Sequence, residues 1–213
     1  MPILEFPDPN LADEDGILAV GGDLHPESLL LAYRQGIFPW PVGRELAWFS
    51  PDPRAILPFD EIHLPRSLKT FLKKHPYRLS VNEAFPKVIA QCAKVKRNPI
   101  TSGTGTWITP SLRRAYEEFH SLGHAHSVEV WEGQELVGGI YGVLVGGAFA
   151  GESMFHLKPN TSKLALLHLV DWLKQKGLTW MDIQVMTPHM ERLGARGIPR
   201  KKFLKLLKES QAR

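Results

Sequence analysis

The stretch AHSVEVWEGQELVGGIYGVLVGGAFAGESM, Ala125 to Met154, decides the fold. It holds three runs rich in β-branched, aromatic and small residues, Ala125 to Trp131, Val137 to Val145 and Ala148 to Met154, parted by Glu132-Gly133-Gln134 and by Gly146-Gly147. Short glycine-bearing turns of this kind join antiparallel neighbours, so the stretch predicts a meander. Downstream, Thr161 to Lys176 spaces its leucines along one helical face, follows Asn160 and stops at Gly177. Leu178 to Val185 then reads as another strand, and Pro199 opens a basic terminal helix. Upstream, Pro26 to Gln35, Arg66 to Lys74, Asn82 to Cys92 and Pro110 to Leu122 read as helices, with Trp40 in a loop after the first. Helices, a meander, a helix and a further strand indicate an α+β fold with a mostly antiparallel sheet. Prolines crowd the chain as far as Pro65, so a small N-terminal domain is expected over residues 1–62 and a larger one over 63–213.

The chain has 213 residues, 43% hydrophobic and 23% charged, enough to bury a substantial core and too apolar for a disordered protein. The longest uncharged run, Leu136 to Gly151, is shorter than the roughly 20 apolar residues a bilayer crossing needs, so no membrane helix is expected. The first thirty residues carry acids and no Lys or Arg, the opposite of a secretory leader. With a single cysteine, Cys92, no intrachain disulfide or cysteine-cluster metal site can form, and a cytoplasmic monomer is expected. Net charge is only +4, but Arg66 to Arg78 is purely basic among its charges and Arg196 to Arg213 opposes many Lys and Arg to the lone Glu209. These stretches are either solvated helix faces or the footprint of a polyanion.

Several side chains could carry chemistry. His124 and His126 would leave one face of a strand, but a third ligand at metal-site spacing is missing, so they read as polar positions beside the sheet. Gly151-Glu152-Ser153-Met154-Phe155 lacks the second glycine of a nucleophile elbow, and the paired glycines lack the Lys-Ser/Thr of a phosphate loop. Glu152 lies within an apolar strand, where a charge is costly without a partner. Asp182 and Gln184, two apart on a strand, leave the same face. They form either a structural network or a ligand-orienting pair. Trp40 stands between two prolines and Trp107 in a Gly/Thr loop, Gly103 to Thr109. Rings so placed are either core plugs or stacking platforms for a base.

The motifs Gly21-Gly22-Asp23-Leu24, Tyr33-Arg34-Gln35-Gly36-Ile37-Phe38-Pro39-Trp40, Ser50-Pro51-Asp52-Pro53-Arg54, Gly105-Thr106-Trp107-Ile108-Thr109, Gly123 to Trp131, Gly151 to Phe155 and Asp182 to Ala195 follow one another along the chain. In that order they closely resemble the bacterial leucyl/phenylalanyl-tRNA–protein transferases, from about Asp15 to Phe203. The resemblance implies transfer of Leu or Phe, with Met a third candidate, from tRNA to the α-amino group of proteins beginning with Arg or Lys, which marks them for degradation. It implies a larger domain similar to the GCN5-type N-acetyltransferase fold, and neither metal nor cofactor.

Carried over by motif, Trp40 and Trp107 would hold the terminal adenosine. Ile140, Phe149, Met154, Leu166, Leu169 and Leu173 would line the pocket for the transferred side chain. Gln184 would orient the amine and the ester carbonyl, Asp182 would polarise Gln184 and help accept charge, and Glu152 would hold the amine or the terminal ribose. The basic helix with Arg66, Lys69, Lys73 and Lys74 is the expected tRNA surface, and the terminal basic helix the alternative. Two rivals stand beside this reading. An acetyl-CoA-dependent acetyltransferase predicts a glycine-rich loop before the long helix, and Lys158-Pro159-Asn160-Thr161-Ser162 has no glycine. An RNA-binding module leaves Glu152 and Asp182 unexplained.

Overall fold

The structure, a computed structural model, describes residues 1–95 and 106–212. The expected meander is present as β6 (Ala125–Glu132), β7 (Glu135–Val145) and β8 (Ala148–His156), paired antiparallel in that order. Gly146 and Gly147 turn β7 into β8 with φ of 58° and 73°, backbone values that a side chain would strain. Number the earlier elements β1 (Ile17–Val20), α1 (Pro26–Arg34), β2 (Phe38–Val42), β3 (Glu45–Phe49), β4 (Arg54–Pro58), α2 (Arg66–Lys74), β5 (Arg78–Val81), α3 (Phe85–Cys92) and α4 (Pro110–Ser121). After the meander come α5 (Thr161–Gln175), β9 (Trp180–Gln184), α6 (Pro188–Arg192), β10 (Arg196–Ile198) and α7 (Arg200–Gln211).

Among the described residues the strands form two sheets, one ordered β1-β3-β2 and a larger one ordered β10-β4-β9-β8-β7-β6-β5. Every recorded pairing in them is antiparallel except β8 with β9, whose recorded partners are Ala150 and Asp182 alone. The fold is thus α+β with a mostly antiparallel sheet. β4 is hydrogen-bonded into the larger sheet, so residues 54–58 are part of its framework. One face of that sheet packs Val128, Val130 and Val137 against Leu164, Leu169 and Leu173 of α5. The other packs Tyr141, Val143 and Phe155 against α3, α4, α1 and the smaller sheet through Phe85, Phe119, Leu29 and Trp48. One core therefore ties the two sheets together.

Two local expectations are corrected. Trp40 is not in a loop: it is the middle residue of β2, an edge strand of the smaller sheet, where the missing N–H groups of Pro39 and Pro41 interrupt little. The helix expected from Asn82 begins at Phe85 instead, because Asn82 has a left-handed φ of 61° and bonds Ser127 through both its backbone N–H and its side-chain oxygen.

Candidate active site

The single ladder position shared by β8 and β9 determines where a ligand can enter. Beyond Ala150 and Asp182 the two strands border one cavity of about 600 Å³, walled by Gly151 to His156 on one side and Ile183 to Val185 on the other. A Cβ on Gly151 would come within 2.6 Å of the terminal methyl of Met181, so a side chain there would have to push that methyl aside. Trp40, Trp107, Ile140, Met154 and Leu166 give the cavity an aromatic and apolar wall, Glu152 and Gln184 form a hydrogen-bonded polar pair beside that wall, and its end at α5 is polar.

Glu152 is held from three directions. Its Oε1 accepts from the Tyr33 hydroxyl at 2.8 Å and from Gln184 Nε2 at 2.7 Å, and its Oε2 accepts from the Tyr116 hydroxyl at 3.3 Å. The two hydroxyls are 2.6 Å apart. Burial, reinforced by the nearby charge of Asp182, outweighs these donors and raises the Glu152 carboxyl from 4.5 to about 7. Burial and then the charge of Glu152 push both tyrosine hydroxyls well above 10, so they remain donors at neutral pH. A carboxyl poised near 7 in a cavity wall can both take and return a proton under ordinary conditions.

Asp182 is occupied elsewhere. Its Oδ2 receives Arg54 Nη2 at 2.6 Å, and its Oδ1 receives both Arg54 Nε at 2.9 Å and the backbone N–H of Gln184 at 2.8 Å. Arg54 is fully buried, with its guanidinium 4.8 Å from the Phe38 ring centre and 4.5 Å from that of Phe203. Asp182 therefore does not bond the Gln184 side chain, as the sequence reading assigned. It fixes that residue's backbone at a φ of 65°, and Glu152 takes the amide. Removing either member of such a buried pair would strand a charge.

The other expected site residues divide into three groups. Trp40 and Trp107 come together, stacked at 4.6 Å and 17°, with Trp107 only 3% exposed in the core and Trp40 partly open above it. Gly103, Thr104 and Gly105 of the Gly/Thr loop lie outside the described residues. Ile140, Met154 and Leu166 line the cavity, whereas Phe149, Leu169 and Leu173 are buried in the packing behind it. Arg66, Lys69, Lys73 and Lys74 stand exposed on α2, whose Leu68, Phe71 and Leu72 pack inward. His126 bonds Asn82 and lies 5.1 Å from the Trp172 ring, and no group of three or more His, Cys, Asp or Glu among the described residues could hold a metal. Likewise, none of the described helices is long and apolar enough to cross a membrane.

Tyr33, Tyr116 and Arg54 were missed as site residues. They lie 119, 36 and 128 positions from the carboxylates they serve; Tyr33 and Arg54 stand inside two of the motifs quoted above, the one local signal, while nothing local marks Tyr116.

A family model for leucyl/phenylalanyl-tRNA protein transferase matches residues 56–208, and the model of that enzyme's N-terminal domain matches residues 22–52. The leucyl/phenylalanyl-tRNA–protein transferase of Shewanella baltica (strain OS185) is 51% identical over 207 residues, 96% of this chain and 86% of its own. That of Anaeromyxobacter sp. (strain K) is 52% identical over 200 residues, 93% and 84%. Among solved structures, the GCN5-related N-acetyltransferase from Kribbella flavida aligns with a TM-score of 0.38 at 11% identity, over 78% of this chain and 58% of that one.

Proposed function

The chain belongs to the leucyl/phenylalanyl-tRNA protein transferase family, an aminoacyltransferase family, and from that membership we propose the reaction it performs. It moves Leu or Phe from the 3′ ester of aminoacyl-tRNA to the α-amino group of a protein beginning with Arg or Lys, and so marks that protein for degradation. One observation carries this reading: the hydrogen-bonded Glu152–Gln184 pair opens onto a cavity that places an apolar and aromatic wall, with Trp40, Ile140, Met154 and Leu166, beside it. An apolar wall suits Leu or Phe, a ring suits adenine, and the polar pair suits the amine and ester between them.

The chemistry needs positioning and one proton acceptor. Gln184 gives one amide hydrogen to Glu152, which leaves its carbonyl oxygen and second N–H to align the amine and the ester carbonyl. The amine nitrogen forms the new bond to the ester carbon and the bond to the ribose oxygen breaks. The proton released by the nitrogen passes to Glu152, which can return it to the departing oxygen. Tyr33 and Tyr116 hold the carboxylate, and Arg54 and Asp182 hold the Gln184 backbone. Trp40 receives the adenine with Trp107 backing it, Ile140, Met154 and Leu166 receive the amino-acid side chain, and the basic face of α2 meets the acceptor stem. The same reading makes the enzyme a cytoplasmic monomer without a cofactor, since the ester already carries the driving energy.

The test offers labelled Leu-tRNA or Phe-tRNA and an Arg-initiated peptide, free or N-acetylated, to the purified protein. Label should reach the free peptide alone. No transfer, or transfer of acetyl from acetyl-CoA instead, overturns the reading.

A further inference from the structure

The end of the cavity at α5 has a chemistry that neither a Leu nor a Phe side chain explains. Asn160, Ser162, Lys163, His156 and His189 line it. Asn160 has a left-handed φ of 66° and gives α5 no side-chain cap, while the Thr161 hydroxyl is turned away to the carbonyls of Val137 and Lys158. The amides of Ser162 and Lys163 find no acceptor in the turn before the helix, which leaves the positive end of a 15-residue helix facing the cavity. Ser162 is 9% exposed, lines the cavity and has no side-chain hydrogen bond among the described residues. Two cationic side chains, Lys163 and Arg192, gather here beside His156 and His189. Burial first, then the charges of Lys163, Arg192 and His156, lower the His189 pKa, so these groups crowd one another. None of the four has an ion-pair partner among the described residues.

We infer that this end is an anion site for the 5′-phosphate of the donor's terminal nucleotide, held by Lys163, the Ser162 hydroxyl and the free amides at the start of α5. The inference rests on the cavity being the aminoacyl-adenosine site. Of the two substrates, only the nucleotide brings an anion to this spot. A protein beginning with Arg or Lys brings a cation, which the cluster would repel toward Glu152.

Two minimal donors test it: 3′-O-phenylalanyl-adenosine and its 5′-monophosphate, each with an Arg-initiated peptide. The parent enzyme should use the phosphorylated donor with a kcat/KM about tenfold higher. That ratio should collapse toward one in Lys163→Met and persist in Lys163→Arg, and inorganic phosphate should compete only with the phosphorylated donor. If the parent uses both donors equally, if the ratio survives Lys163→Met, or if phosphate inhibits both donors alike, the inference is overturned while the reading of the cavity stands. If neither donor reacts, both fall.

Discussion

At the scale of single residues, the account turns on a carboxyl that holds its proton more tightly in the folded chain than in the unfolded one. Raised from 4.5 to about 7, Glu152 contributes a stability loss that grows as pH climbs between those values and persists above them. Glu152→Gln removes that titration while keeping an acceptor for Tyr33 and Gln184. At pH 8 the variant should be more stable than the parent by about 1–3 kcal/mol, with the difference vanishing near pH 4, as read by denaturant melts. Its transfer rate should nevertheless fall ~10²-fold or more, because no proton acceptor remains. The tryptophans should separate in the opposite sense. Trp107→Ala empties a buried site and should cost about 3–5 kcal/mol of stability. Trp40→Ala should fold nearly normally and weaken an aminoacyl-adenosine analogue by about 1–3 kcal/mol, measured by calorimetry. The sequence made Glu152 and Gln184 legible because a charge in an apolar strand and a period-two pair stand out locally. It could not reveal which carboxylate bonds Gln184, since Arg54 captures Asp182 from another strand.

At the scale of elements, α2 pairs an exposed basic face with a packed face of Leu68, Phe71 and Leu72. If the basic face lies along the acceptor stem, Lys69→Glu with Lys73→Glu should raise the Michaelis constant for full-length aminoacyl-tRNA. The salt slope of binding should flatten by about 2, near 0.9 per lost phosphate contact. The minimal adenosine donor, lacking a stem, should lose far less, and equal losses for both donors would move the tRNA surface to α7. The helices and the meander were legible because their periods of 3.6 and 2 are carried by residues next to one another. β2 was not, since Phe38-Pro39-Trp40-Pro41-Val42 has the composition of a loop and becomes a strand only at the edge of a sheet. The stripe Leu166, Leu169 and Leu173 was read correctly as one apolar face, yet only Leu166 reaches the cavity, because the other two are spent on packing beneath the sheet.

At the scale of the whole molecule, the cavity is a consequence of topology: one parallel contact between β8 and β9, one core joining two sheets, and a tryptophan from the smaller sheet carried to the mouth of the larger. No window of sequence contains it, for its walls come from residues as far apart as Trp40 and Met190. The motif order pointed to the family without giving this geometry. The most direct measurement is a crystal structure with an amide-linked phenylalanyl-adenosine analogue that the enzyme cannot cleave. The account predicts adenine against Trp40, the phenyl ring among Ile140, Met154 and Leu166, and the acyl carbonyl within hydrogen-bond reach of Gln184. An analogue seated away from the β8–β9 cleft, or one whose carbonyl lies far from both Gln184 and Glu152, would contradict it.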